Sequence, residues 1–194
     1  MKIKSLTIYC SASQKIDKKF FKLARETGEI ISNYKIRVVY GGGNVGLMGE
    51  IANTLRYHNK EIIGIIPKFL IKKENINFKI KNLKVVNDMT KRKEQLFKLG
   101  DAFLVLPGGT GTLEEVTEVL SWKILKLHNK PIIFLNFENY WSPLLKQFEN
   151  MIKIKFGNKN LQNQYQVIKK PKELEKILKL WSKQLWQVYV NIRL

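Results

Sequence analysis

Six short apolar runs, Leu6–Cys10, Ile36–Tyr40, Glu61–Ile66, Leu83–Asn87, Ala102–Pro107 and Pro131–Asn136, recur along the chain with amphipathic stretches between them. Runs of Ile, Val and Leu with little polar alternation predict strands covered on both faces, as in parallel sheets. The stretches between them predict helices. Phe20, Phe21, Ala24, Gly28 and Ile31 share one face, as do Ile51 with Leu55, and Val116, Val119 and Leu120 with a continuation to Leu127. A C-terminal stretch from Pro171 to Val190 begins as an amphipathic helix with Leu174, Ile177, Leu178 and Trp181 on one side. Strand and helix in alternation imply an α/β fold, a doubly wound parallel sheet with helices on both faces. The 194 residues are 44% hydrophobic and contain no linker-like stretch or internal repeat, so one domain covering residues 1–194 is expected. Pro67–Asn82 is the longest connection without a clear period and reads either as a mobile loop beside a site or as a plain basic loop.

Composition narrows the functional classes. No apolar run approaches the ~20 residues that span a bilayer, and residues 1–12 lack the features of a secretory signal, so a cytoplasmic protein without a membrane partner is expected. The single cysteine, Cys10, ends a strand-like run and reads as a small buried side chain. A net charge of +19 favours anionic partners in general. The lysines are scattered, however, and Asn and Ile are also abundant, as in chains from genomes rich in A and T. The expectation is an attraction for small anions and no dedicated nucleic-acid surface. His58 and His128 stand apart from each other and from any Cys/Asp cluster, so no metal site is expected.

Two glycine-rich turns carry the chemistry. Gly41, Gly43 and Gly46 have the spacing G-x-G-x-x-G between a predicted strand and helix, where amides can approach a phosphate. A nicotinamide dinucleotide site would also need an acid at the end of the next strand to hold the ribose, and that strand ends at Pro67 and Lys68. The second turn, Pro107 to Glu115, follows another strand, so both turns are expected at one edge of the sheet. No lysine follows Gly111, which excludes the triphosphate-binding Walker pattern and leaves a monophosphate held by the amides of Gly109 to Thr112 and the hydroxyls of Thr110 and Thr112. Thr112 to Glu115 also matches a capping box, in which Glu115 only secures the helix start. An acid placed there could equally stabilise a developing cation or orient water. Successive helical residues diverge by roughly 100°, so only one of Glu114 and Glu115 can face the crevice.

The segments Gly41–Gly49 (GGGNVGLMG), Met89–Lys93 (MTKRK) and Pro107–Glu115 (PGGTGTLEE) resemble the motifs of the LOG family, the cytokinin riboside 5'-monophosphate phosphoribohydrolases, over roughly residues 4 to 180. The resemblance implies a Rossmann-like fold, a homodimer, no cofactor, and hydrolysis of a purine nucleoside 5'-monophosphate to free base and ribose 5-phosphate. By motif position it makes Glu115 and Arg92 catalytic. It places Gly108, Gly109, Thr110, Gly111 and Thr112 at the phosphate, with Gly43, Asn44, Met89 and Lys93 in the same pocket. Ser11 and Ala12, Thr90 and Lys91, and Ile124 depart from the family's usual residues, and are expected near the chemistry but not at it. The alternative is a carrier of the same superfamily, similar to molybdenum cofactor carriers, which binds without cleaving. Trp122 and Trp141 read as aromatics available to a dimer contact.

Overall fold

In the computed structural model, which describes residues 3–71, 76 and 80–182, each of the six apolar runs forms a strand. These are β1 (Ser5–Tyr9), β2 (Arg37–Tyr40), β3 (Ile62–Pro67), β4 (Asn82–Val86), β5 (Ala102–Val105) and β6 (Ile132–Leu135). A short seventh strand, β7 (Gln166–Ile168), follows. The helices are α1 (Lys18–Ser32), α2 (Gly46–Tyr57), α3 (Met89–Leu99), α4 (Thr110–Ile124), α5 (Ser142–Lys153) and α6 (Pro171–Ser182). All seven strands run parallel in the order β4, β3, β2, β1, β5, β6, β7. The chain therefore builds outward from β1 to β4, returns to the other side of β1, and builds outward again.

Strand periodicity sorts side chains into two cores. Leu6, Ile8, Val38, Tyr40, Leu104 and Ile133 face α1, α2 and α6, while Tyr9, Val39, Phe103, Val105, Ile132 and Phe134 face α3, α4 and α5. The predicted helix faces are the buried ones: Ala24, Gly28 and Ile31 of α1, Ile51 and Leu55 of α2, Val116, Val119 and Leu120 of α4. In α6, Leu174, Ile177, Leu178 and Trp181 are all buried, and the remainder of that predicted stretch, 183–190, lies outside the described residues. The middle of the Pro67–Asn82 connection, residues 72–75 and 77–79, lies outside them as well. Cys10 is buried. No described helix is long and apolar enough to cross a membrane.

Four details differ from expectation. Strand β7 has only three residues and pairs on one side with β6, too short a run to stand out in the sequence. Strand β4 is an edge strand with Val85 half exposed, so its apolar run is not covered on both faces. Helix α4 stops at Ile124 because Lys126 turns left-handed at φ 62°, which leaves Leu125 and Leu127 exposed. Trp141 is buried against Phe134 and belongs to the core, not to a free surface.

Lys123, in the last turn of α4, is largely buried, and the loss of hydration lowers its ammonium to about 8 from 10.5. The unfolded chain then holds more protons than the folded one between about pH 8 and 10.5, so this group's contribution to stability rises with pH across that window. Below it, the charged form is a standing cost. Replacing Lys123 with Met is expected to stabilise the fold at pH 7 by about 1–3 kcal/mol, with the gain shrinking toward pH 10. Urea denaturation at the two pH values checks this, and an unchanged midpoint at pH 7 would contradict it.

Candidate active site

The chain reverses its direction of building between β1 and β5, and the connections leaving their carboxyl ends diverge there, which opens a crevice above the sheet. The loop after β1 is held on both sides of this opening. Ser11 N–H donates to Pro107 O at 3.1 Å, and Ser11 O accepts the N–H groups of Leu47 at 2.9 Å and Met48 at 3.4 Å. The first glycine turn is built around that contact. Gly46 has φ 59°, and a Cβ there would lie 2.5 Å from the Ala12 carbonyl carbon. The first amides of α2 are thus spent on protein, which removes them as an anion site.

A cavity of about 300 Å³ occupies the crevice, lined by Ile8, Cys10, Ser11, Ala12, Ser13, Gly41, Met48, Met89, Arg92, Gly109, Thr110, Gly111, Thr112 and Glu115. Its rim is the start of α4. That helix begins at Thr110 with Gly109 as its N-cap and no side-chain cap, and its first backbone bond is Leu113 N–H to Gly109 O at 3.0 Å. The amides of Gly109, Thr110, Gly111 and Thr112 therefore have no carbonyl within the helix to bond, and they stand at its positive end. A Cβ at Gly109 or Gly111 would meet nothing within 4 Å, so protein packing does not demand glycine at either position. Gly108 is different, since its Cβ would lie 2.1 Å from Thr112 Oγ1.

The capping-box expectation fails. The helix starts two residues earlier than Thr112, which puts Glu115 in the second turn and out of capping position. Thr112 and Glu115, three residues apart on one face, are both buried in the cavity wall. Glu114 points elsewhere, pairing with Lys93 at 2.8 Å.

Arg92 enters from α3, whose Asp88 N-cap accepts Lys91 N–H at 2.8 Å. The other end of α3 is fastened to β1, where Thr7 Oγ1 donates to Leu96 O at 2.8 Å and Ser5 Oγ to Leu99 O at 2.6 Å. Only 7% of Arg92 is exposed, Nη1 donates toward Met89 Sδ at 3.8 Å, and Nε is buried without a hydrogen-bond partner among the described residues. A Cβ at Gly41 would lie 2.2 Å from Nη2, so the missing side chain at Gly41 is the space the guanidinium occupies. Beneath the site Tyr9 is held protonated. Burial raises its phenol well above the usual value, Glu115 and Glu118 add to the rise, and Arg92 opposes it.

Of the residues singled out in the sequence, Glu115, Arg92, Met89, Gly109, Thr110, Gly111 and Thr112 come together on this one cavity. Gly108 lies behind the rim against Thr112. Gly43 and Asn44 do not line the cavity: Gly43 forms an antiparallel bridge with Ile76, and Asn44 Oδ1 accepts from Asn53 Nδ2 at 3.2 Å. Lys93 is also outside, where its ammonium joins α3 to α4 through Glu114 and Glu118 at 2.8 and 3.1 Å. Thr90 and Lys91 are exposed, and Ile124 packs on the second core. Ser11 and Ala12, expected merely nearby, line the cavity itself. Met48, Ser13 and Ile8 were not foreseen; Met48 stands in the first turn of α2, after Leu47 and inside the Gly41–Gly49 motif, with nothing in the sequence to mark it as facing the cavity.

Fold and site together define a Rossmann-like domain with a crevice at its switch point. Solved structures with this fold include the molybdenum cofactor carrier protein of Chlamydomonas reinhardtii, at a TM-score of 0.69 with 15% identity over 94% of this chain and 99% of that one. The molybdenum cofactor binding protein of Rippkaea orientalis has a TM-score of 0.67 and 22% identity over 92% and 97% of the two chains. The family described as "possible lysine decarboxylase" matches residues 48–178, and the chain belongs to that family. Its relatives carry the name that the LOG resemblance pointed to. A cytokinin riboside 5'-monophosphate phosphoribohydrolase of Rhodococcoides fascians is 44% identical over 76% of this chain and 75% of its own length. One of Arabidopsis thaliana is 34% identical over 96% and 92%.

The glycines give a test of this architecture. Gly41→Ala and Gly46→Ala are each expected to lower stability by about 2 kcal/mol, the first by displacing a buried guanidinium and the second by strain and a backbone clash. Gly111→Ala is expected to leave the melting temperature unchanged or slightly raised, and Gly109→Ala, at the N-cap, to lower it only slightly. Thermal melts of the four variants decide it; equal losses in all four would mean that the rim glycines serve folding too.

Proposed function

We propose that the protein hydrolyses the N-glycosidic bond of a purine nucleoside 5'-monophosphate, releasing free base and ribose 5-phosphate. The observation that carries this reading is the convergence of a buried carboxylate, Glu115, and a buried guanidinium, Arg92, on a cavity rimmed by the unpaired amides of α4. The names of the relatives support it from outside.

Each part has a chemical task. The amides of Gly109 to Thr112, with the Thr110 and Thr112 hydroxyls, bind the phosphate at the positive end of α4. That fixes the ribose with its anomeric carbon toward the cavity wall. Breaking the C1'–N9 bond builds positive charge on the ribose ring, and the Glu115 carboxylate stabilises that charge and orients the attacking water. Arg92 supplies the fixed positive charge that the departing purine and the phosphate both require. At about 300 Å³ the cavity lies at the small end for a ligand site, which suits enclosure of the ribose phosphate with the base held closer to the opening. The substrates in view are AMP and its N6-prenylated counterparts. The carrier alternative has only the shared fold behind it, since the solved carriers are below 25% identical.

A homodimer in the cytoplasm, acting on a small nucleotide, completes the reading. Leu125 and Leu127 beyond α4, with Ile154 and Phe156 beyond α5, are exposed apolar side chains that a second copy could cover.

The test is release of base and ribose 5-phosphate from AMP and from a prenylated AMP. Turnover of at least one is expected. Glu115→Gln should lower kcat by a factor of about 100 or more while ribose 5-phosphate binding and the melting temperature persist, because Glu115 lies in the second turn of α4 and not at its capping position. No release from either substrate by folded wild-type protein would eliminate the hydrolase reading.

A further inference from the structure

Tyr140 stands outside the cavity lining, yet its hydroxyl donates to Gly108 O at 2.6 Å, directly behind the rim. The turn that delivers it is constrained. Glu138 and Asn139 are consecutive left-handed residues at φ 49° and 61°, a conformation that asparagine tolerates and that is disfavoured for glutamate. Buried Asn136 holds that turn, accepting Trp141 N–H at 2.7 Å, donating to Ser142 Oγ at 3.1 Å, and sending its own N–H to Ile168 O at 2.7 Å. The Tyr140 ring packs edge-on against Phe20 and Trp141. Four elements therefore cooperate to bring one phenol to one carbonyl.

That carbonyl matters because Gly108 C=O and Gly109 N–H belong to the same planar peptide, in which they point in opposite directions. Fixing the carbonyl fixes the amide. Between two glycines the peptide could otherwise rotate at small steric cost and present its oxygen, rather than its N–H, to an incoming dianion. Donation to the carbonyl also polarises the peptide and strengthens its N–H as a donor. Gly109 lines the cavity and is the N-cap of α4.

We propose that Tyr140 is a positioning residue, locking the Gly108–Gly109 peptide so that the Gly109 N–H is presented to the substrate phosphate. This rests on the hydrolase reading for the identity of the ligand, and its test uses binding as well as turnover.

Titrate ribose 5-phosphate into wild type, Tyr140→Phe and Tyr140→Leu by calorimetry, record their melting temperatures, and measure KM and kcat with AMP or its prenylated form. Tyr140→Phe keeps the ring and loses only the donor. It should bind ribose 5-phosphate about 5- to 20-fold more weakly and raise KM by a similar factor, with kcat within about twofold and melting unchanged. Tyr140→Leu should lose at least as much affinity. Wild-type affinity in Tyr140→Phe, or a loss seen only in Tyr140→Leu, overturns the proposal in favour of ring packing. A loss in Tyr140→Phe accompanied by a lowered melting temperature overturns it in favour of a general structural role, and absence of ribose 5-phosphate binding by wild type overturns it outright. Wild type that binds ribose 5-phosphate but releases no base sinks the hydrolase reading, while the binding comparison still decides the role of Tyr140.

Discussion

A parallel sheet that builds away from its first strand in both directions leaves its own middle uncovered. After β1 and β5 the chain leaves toward opposite faces of the sheet, to α1 on one and α4 on the other, so no described helix closes the space above their carboxyl ends. The carboxylate, the guanidinium and the helix-start amides of the site are arranged around that opening. Helix α4 presents its unpaired amides there, α3 inserts a guanidinium, and the loop after β1 forms the remaining wall. The site is a consequence of topology before it is a consequence of any particular side chain.

The two glycine turns divide the labour unequally. The first, despite its G-x-G-x-x-G spacing, spends its helix amides on Ser11 and uses Gly41 to seat Arg92. The second leaves its first amides without helical or side-chain partners among the described residues, and its Gly109 and Gly111 Cα atoms bare on the open side. An isolated reading of either motif would call both phosphate loops. Only the second has the donors to serve as one, while the first provides the space in which a buried cation can sit.

Much of the fold was legible because apolar runs and helical faces are direct records of burial. Six strands followed from continuous apolar runs, and the buried faces of α1, α2, α4 and α6 from helical periodicity. Strand β7 was not legible, because three residues, two of them half-buried, carry no period, and the exposed side of β4 was hidden because an edge strand can be as apolar as a central one. At the site, Glu115 and Arg92 were identified by motif resemblance, and the 100° step between Glu114 and Glu115 correctly limited the cavity to one of them. The capping-box alternative does not hold because Thr112-x-x-Glu115 is a local pattern, whereas the true start of α4 depends on where the strand–turn geometry releases the chain. Lys93, Gly43 and Asn44 were misplaced for a related reason. Neighbours in sequence need not share a face, and Lys93 follows Arg92 by one helical step into an ion-pair bridge between α3 and α4.

The Ser11 peptide has a wider consequence. Its N–H grips the segment before the second glycine turn and its C=O grips the helix after the first, so the loop beyond β1 is riveted to both neighbours at a single residue. The loop beyond β1, the start of α2 and the segment that enters α4 are thereby tied together before any ligand arrives. Little ordering entropy remains to be lost there on association, and affinity can be spent on the reacting bond instead of on assembling the vessel around it.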